Sequence, residues 1–374
     1  MRRIIEVFIY RAVCTLLLTG ATGLAQAAPP TPQEEAVRLV ADGQYGRARQ
    51  LVTNLISQAA DPRSGAGVPY RASLYELLGT IENALGHYDD AQRALEEGIT
   101  LCEHHQPAVP ELLVSLQVSL AESHVVRADY QAASRVLNRA LATATEGLPP
   151  DHPRLASVLD GFGLLYVARG EFSRAEKFLR RALAILVKRM GPDHPETATE
   201  ALALASLLLS MNRDAEAVRL TERSRFALEQ VHGKSHPRTV LAGYNLGVAQ
   251  LKSNPAEAER VLRASMAAWR ESQPELHSTT ANLLGALAAA KLAQGDTSEA
   301  ITLNDRALAI LRQLLGPEHP QVVNVMYDRA RLLKADKRGK EAAAVKKEAD
   351  RIRNDRGYPE PGRHSIDINA LRGR

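Results

Sequence analysis

Cysteine is nearly missing from this chain. Its 374 residues hold two, Cys14 and Cys102, and Cys14 lies in an N-terminal stretch that reads as a removable leader. One remaining thiol forms no internal disulfide, so the fold must be held by packing. An odd thiol leaves a bond between two copies open, and self-association with it. The simpler reading of Cys102 is a small buried hydrophobe near a helix end. Aromatics make up only 4% of the chain, and Lys+Arg (47) nearly balance Asp+Glu (43), for a net charge of +4. Nucleic-acid binding calls for a concentrated basic stripe with stacking aromatics. None is present, so no nucleic-acid partner is expected. After residue 28 no apolar run approaches the roughly 20 residues that cross a bilayer. No stable membrane insertion is expected once the leader is removed.

Catalytic patterns are missing too. There is no Gly-x-Ser-x-Gly, no His-Glu-x-x-His and no phosphate-cradling glycine loop. A glycan hydrolase would need two carboxylates roughly 5–9 Å apart, and the acidic inner-face candidates Glu76 and Asp160 stand two repeats apart. The chain reads as a non-enzyme with no cofactor and no metal, and an accessory role beside a cell-envelope enzyme stays as an alternative.

Residues 1–28 have the layout of a secretory signal peptide. Arg2 and Arg3 form a positive start, Ala12–Ala25 is a short apolar stretch, and Ala25-Gln26-Ala27 offers a small-x-small cleavage site. The alternatives are an uncleaved anchor or a cytoplasmic regulator with a false leader. Export to the periplasm is expected, with secretion as the variant.

A repeat dominates the rest. Ala48, Ala91, Ala133, Ala175, Ala217, Ala258, Ala300 and Ala342 follow one another at 43, 42, 42, 42, 41, 42 and 42 residues. A second small residue precedes each: Ala36, Gly79, Ala121, Gly163, Ala205, Gly247, Ala288 and Ala330. Two small residues at matched places let two helices approach closely. Each unit is therefore expected to be an antiparallel pair, helix A then helix B, with a tight turn such as Gly86-His87-Tyr88 or Gly170-Glu171-Phe172. Leu137, Leu141, Leu179 and Leu183 are expected in matching core positions. Periods of this length mean a solenoid. The expected organisation is a leader over 1–28, an all-α solenoid of about eight helix pairs over 29–352, and a flexible tail over 353–374.

These features resemble the tetratricopeptide repeat, in particular the roughly 42-residue form of kinesin light chains and many bacterial proteins. The small residue late in helix A, the Gly-x-aromatic turn, Arg-Ala-Leu at 139–141, 181–183 and 306–308, and Gly-Pro-Asp/Glu-His-Pro at 191–195 and 316–320 carry the resemblance. It implies a right-handed superhelix whose A helices line a concave groove that binds a protein or peptide. The groove positions three residues before the small residue hold Glu76, Val118, Asp160, Leu202, Tyr244, Gly285 and Tyr327. The family's backbone-clamping Asn is absent there, and Asn282 and Asn324, one turn earlier, are its substitutes. Tyr244, Asn282, Asn324, Tyr327, Arg331 and Lys334 are the expected partner-binding residues, because aromatics and Arg carry most interface energy.

Three further expectations follow from position. His152, His194, His236 and His319 recur with the repeat, but equivalent loops lie roughly 16–20 Å apart, two helix spacings. They cannot converge on one metal. Each His-Pro should instead open a helix A, with the preceding Asp or Ser able to cap it. Irregular packing is expected in units five and six, where Ser224 and Arg225 break the Arg-Ala-Leu pattern and a residue is lost near Ser253-Asn254-Pro255. The last helix, with Lys346 and Asp350 on its would-be inner face, should act as a polar cap.

Overall fold

The computed structural model describes residues 31–41, 44–60, 67–105 and 108–358. The expected leader, and the expected tail from residue 359 onward, lie outside them. Every described element is a helix, sixteen in all. They group by close packing into two units, divided along the chain between Pro192 and Asp193.

The N-terminal unit holds four pairs: α1 (Pro32–Ala41) with α2 (Tyr45–Ala60), α3 (Val68–Leu85) with α4 (Tyr88–Glu103), α5 (Pro110–Val126) with α6 (Tyr130–Gly147), and α7 (Pro153–Ala168) with α8 (Phe172–Met190). The C-terminal unit holds four more: α9 (Pro195–Ser210) with α10 (Asp214–His232), α11 (Pro237–Gln250) with α12 (Pro255–Ser272), α13 (Ser278–Ala293) with α14 (Thr297–Leu315), and α15 (Pro320–Ala335) with α16 (Gly339–Asp355). Apart from the short first pair, each helix packs most closely on its partner within the pair.

The repeating alanines are the contact points. Ala48, Ala91, Ala133, Ala175, Ala217, Ala258 and Ala300 are all fully buried. The second small residue is matched to what faces it. A Cβ on Gly79, Gly163 or Gly247 would come within 2.6 Å of Leu95, Leu179 or Leu262. Each leucine stands four residues after its unit's alanine. Where that place holds a smaller or polar side chain (Val52, Thr221, Asn304, Lys346), helix A carries alanine instead; unit three departs from this, with Ala121 beside a Leu137 that packs on Gly161 of the next A helix. Of the four leucines expected in the core, Leu137 and Leu179 are fully buried, but Leu141 and Leu183 are only half-buried. The inward stripe runs 137, 140, 144 and 179, 182, 186, because a helix returns to one face at three and four residues, and 141 and 183 fall at its edge.

The A-to-B turns share one geometry. Gly86, Ala128, Gly170, Asn212, Gly295 and Lys337 have φ between 57° and 90°. The next residue donates its N–H to a carbonyl five residues back, as in His87 to Glu82 and Glu171 to Tyr166, which closes a Schellman-type cap. Unit six has no such residue. Its shortened turn starts α12 directly, with the Asn254 side chain accepting the Glu257 N–H.

Helix A starts are capped by the histidines themselves. In His152, His194, His236, His277 and His319 the ring Nδ1 accepts the N–H two residues on, at 3.0–3.2 Å. The expected Asp or Ser cap gives way to this because the ring reaches the free N–H directly. His277 extends the series across a loop that otherwise lost the motif.

The units differ in their cores. Unit five buries Thr221 and Ser224 where unit four buries Leu179 and Ala182, so it has a more polar seam. The C-terminal unit compensates with Trp269, fully buried, its Nε1 donating to Thr280 at 3.0 Å and its ring 4.7 Å from His277. At the end, α16 turns Ala342, Ala349 and Ile352 inward and leaves Lys346 exposed. Lys346 pairs with Asp350 at 2.6 Å, so this helix offers little apolar surface to another repeat. The helix runs to Asp355, three residues past the expected end of the solenoid.

Candidate partner-binding face

Helix A places two registers at the side where neighbouring A helices meet. The register three residues before the small residue was expected to face an open groove. It is largely buried: Glu76, Val118, Asp160, Leu202 and Tyr327 are all at most 8% exposed. A neighbouring A helix covers it. Solvent reaches most of the register one turn earlier, where Ser73, Ser157, Leu241, Asn282 and Asn324 are half-buried, whereas Ser115 and Thr199 are buried.

In the N-terminal unit this face is tied together. Ser115 on α5 donates its hydroxyl to the Glu76 carboxylate on α3. Arg154 on α7 donates to the same Ser115 oxygen at 3.1 Å. Three successive A helices are thus stapled by one polar ladder, and Gln33 of α1 reaches Ser73 in the same way at 3.2 Å. Burial pushes the Glu76 carboxyl above its ordinary range, and the Ser115 hydroxyl and Arg154 guanidinium oppose it. Sequence reasoning had Glu76 but missed its partners. Their spacing of 39 residues, three short of the repeat, was the signal: it steps one turn back per unit and so follows a diagonal across the face.

In the C-terminal unit the same face is more open. Asn282 and Asn324 stand 42 residues apart at one register on α13 and α15, half-buried, with no hydrogen bond to their amides among the described residues. Tyr244 is half-buried against the core of this unit. Tyr327 is buried, and its hydroxyl donates to Asp350 on α16 at 2.7 Å, so it braces the last helix. Arg331 is held on its own helix by Asp328 at 3.2 Å. Lys334 is exposed in the last turn of α15. Of the six expected residues the structure puts Tyr244, Asn282 and Asn324 within solvent's reach on the face, and gives Tyr327 and Arg331 intramolecular work.

Among the described residues one group could hold a metal. Glu82, His87 and Asp90 bring their ligand atoms within 4.8 Å of one another. These atoms already have partners: the ring of His87 meets Glu82 at 2.8 Å, Arg49 lies 3.9 Å from Glu82, and Arg93 pairs with Asp90. Cys102 is buried, and desolvation, followed by the nearby Glu76 charge, pushes its thiol up to about 11. A thiol in that setting is a poor nucleophile.

Residues 112–188 and 279–355 match the tetratricopeptide repeat family, two helix pairs in each unit. The chain carries tetratricopeptide repeats. No curated protein matches this repeat protein by sequence. Three solved structures show how its repeats compare. BtubC (BKLC) from P. vanneervenii is 23% identical, covers 63% of this chain and 94% of its own, and superposes with a TM-score of 0.50. A Rap protein complexed with Competence and Sporulation Factor is 13% identical over 86% of this chain and 96% of its own, with a TM-score of 0.53. NprR from B. thuringiensis, solved with its cognate peptide NprX, is 14% identical over 78% of both chains, with a TM-score of 0.51. At these identities the likeness is one of fold. Among the described residues of the tetratricopeptide chain, no helix is long and apolar enough to cross a membrane.

Proposed function

We propose that this tetratricopeptide-repeat chain is an exported, non-catalytic scaffold that binds a peptide or protein on the A-helix face of its C-terminal unit. The observation that carries this reading is the pair Asn282 and Asn324. Two half-buried amides in one register, with no intramolecular partner among the described residues, offer donors and acceptors to an extended backbone. A half-buried amide keeps part of its hydration, and a ligand that supplies the bonds replaces the rest. Tyr244 adds a large, nearly rigid contact surface on the adjacent A helix. The NprR structure with its cognate peptide NprX, built on the same fold, supports a peptide as the ligand class. The leader-like first 28 residues support the periplasm as its place.

The test is in-cell photo-crosslinking from position 244, with Arg180 on α8 as the control site. One dominant protein adduct from 244, absent from 180 and lost in an Asn282→Ala/Asn324→Ala variant, is the expected outcome. No adduct, or only a second copy of the chain, would overturn the reading in favour of a different ligand or of self-assembly. Fractionation with N-terminal sequencing checks export, where a cytoplasmic chain that keeps residues 1–28 would refute it.

A further inference from the structure

A second register of helix A faces the other way, toward the B helices. Three residues after the small residue stand Glu82, His124, Tyr166 and Lys291. Each lies at the base of a furrow between two consecutive B helices, and three of the four furrows are filled. Lys291 is clamped between Glu259 of α12 and Glu299 of α14 at 3.0 and 2.9 Å. Tyr166 is stacked on Phe178, with Arg174 over its face at 5.7 Å. Glu82 holds His87. The fourth furrow, between α4 and α6, stays open. A cavity of about 660 Å³ lies there, with the His124 ring in its wall. That volume is within the range of small-molecule sites.

The chemistry of this cavity is specific. Ile99, Leu120 and Val136 give it an apolar floor. Its two ends are closed by ion pairs within the chain, Arg127 with Asp89 and Arg139 with Glu103. Asp129 is occupied as the N-cap of α6. Two charges are left. Glu96 on α4 accepts only a neutral bond from Gln92, and Arg135 on α6 makes no hydrogen bond; neither forms an ion pair among the described residues. Both line the same cavity as the His124 ring. One free carboxylate and one free guanidinium over an apolar floor complement a ligand that carries an ammonium, a carboxylate and an apolar body. An anion alone would leave Glu96 unanswered, and a cation alone would leave Arg135 so.

The geometry points to the α4–α6 furrow as a binding site for a small apolar zwitterion, an amino acid or a short peptide with free termini. Arg135 takes the carboxylate, Glu96 takes the ammonium, and Ile99, Leu120 and Val136 cover the side chain. The site shares no residue with the A-helix face and stands or falls apart from the scaffold reading.

Isothermal titration of the full chain with L-leucine and with Leu-Leu tests it and separates the two sources. Saturable binding of at least one is expected, the tighter naming the source. Arg135→Gln and Glu96→Gln should each weaken it at least ten-fold, about 1.4 kcal/mol, as should blocking one charge of the ligand in N-acetyl-leucine or leucinamide. Both side chains are exposed, so unchanged thermal melts should accompany the loss. No saturable binding of either zwitterion overturns the proposal. So does binding that both variants leave intact, or N-acetyl-leucine binding as tightly as leucine.

Discussion

The two units are built from the same repeat and treat the A-helix face in opposite ways. The N-terminal unit uses it for itself: Glu76, Ser115 and Arg154 join α3, α5 and α7. Its helices α3, α5 and α7 also pack on one another more extensively than α9, α11 and α13 do. The C-terminal unit leaves Asn282 and Asn324 unjoined, and its fixed points lie elsewhere, in Trp269 and in four of the five capping histidines. A polar side chain on this face staples a neighbour, as Ser115 does, bonds within its own helix, as Thr199 does, or stays unjoined, as Asn282 and Asn324 do. The repeat register alone does not decide which. A partner in the next helix, one turn out of register, does.

The strongest way to break the comparison is to remove the C-terminal unit's anchor. Trp269→Ala deletes a fully buried indole and strands the Thr280 hydroxyl. Truncations of this kind cost about 3–5 kcal/mol. Urea unfolding followed by circular dichroism should show a loss of that size, and hydrogen exchange should place it in α11–α14 with α3–α6 still protected. Equal loss of protection in both units would mean that they do not differ in how they are held.

The matching experiment in the N-terminal unit removes the end of the ladder. Arg154→Met leaves the buried Glu76 carboxylate with the Ser115 hydroxyl alone. The expected cost is about 2 kcal/mol, below the 3–5 of a fully buried pair because Arg154 is half-exposed. Glu76→Gln in the same background should recover most of it, since a neutral amide needs no counter-charge. A variant as stable as the parent would mean that the ladder is an incidental contact.

These residues mark how far the sequence could be read. The helices, their pairing and the alanine contacts follow from the period, because close helix approach admits few side chains. The ladder was not legible, since Ser115 and Arg154 look like ordinary polar residues until helix stacking places them beside Glu76. The burial of Tyr327 was hidden for a related reason: its hydrogen-bond partner Asp350 was read as part of a polar cap. The histidines were visible as a set, yet their capping role depends on ring orientation, which no spacing reports.

Acid should weaken the C-terminal unit more, because in the N-terminal unit Glu76 opposes His124, whose pKa burial also lowers. Burial, with the neighbouring His232 and Arg238, lowers the His236 pKa to about 4 from an ordinary value near 6.5. The folded state thus prefers the neutral ring, which the cap requires. Stability from this group is complete above about pH 6.5 and is lost as pH falls toward 4. Water reaches part of the ring, so the loss is about 1–2 kcal/mol. Glu76 goes the other way. Its folded pKa is raised, so its contribution improves as pH falls through the window above 4.5. Trp269 is the only tryptophan and reports the C-terminal unit by fluorescence. Its urea midpoint should drop between pH 7 and pH 5, and His236→Asn, which keeps a capping oxygen, should flatten that drop. A midpoint independent of pH would remove the histidine caps as a source of difference.

The smallest effect concerns a feature the units share, the left-handed turn residue. Gly86, Gly170 and Gly295 adopt positive φ without penalty, whereas Ala128 and Lys337 hold φ of 63° with a Cβ that crowds the following carbonyl. Ala128→Gly in the N-terminal unit and Lys337→Gly in the C-terminal unit should each relieve about 1 kcal/mol of strain, offset in part by the greater freedom glycine brings to the unfolded chain. A net gain of about 0.5 kcal/mol in urea unfolding is expected for both, and Gly170→Ala should lose a similar amount. If the gain appears at 128 and not at 337, the last turn owes its conformation to the Arg338 pairing with Glu341 rather than to the repeat. The polar cap, and not the period, would then set the geometry at that end.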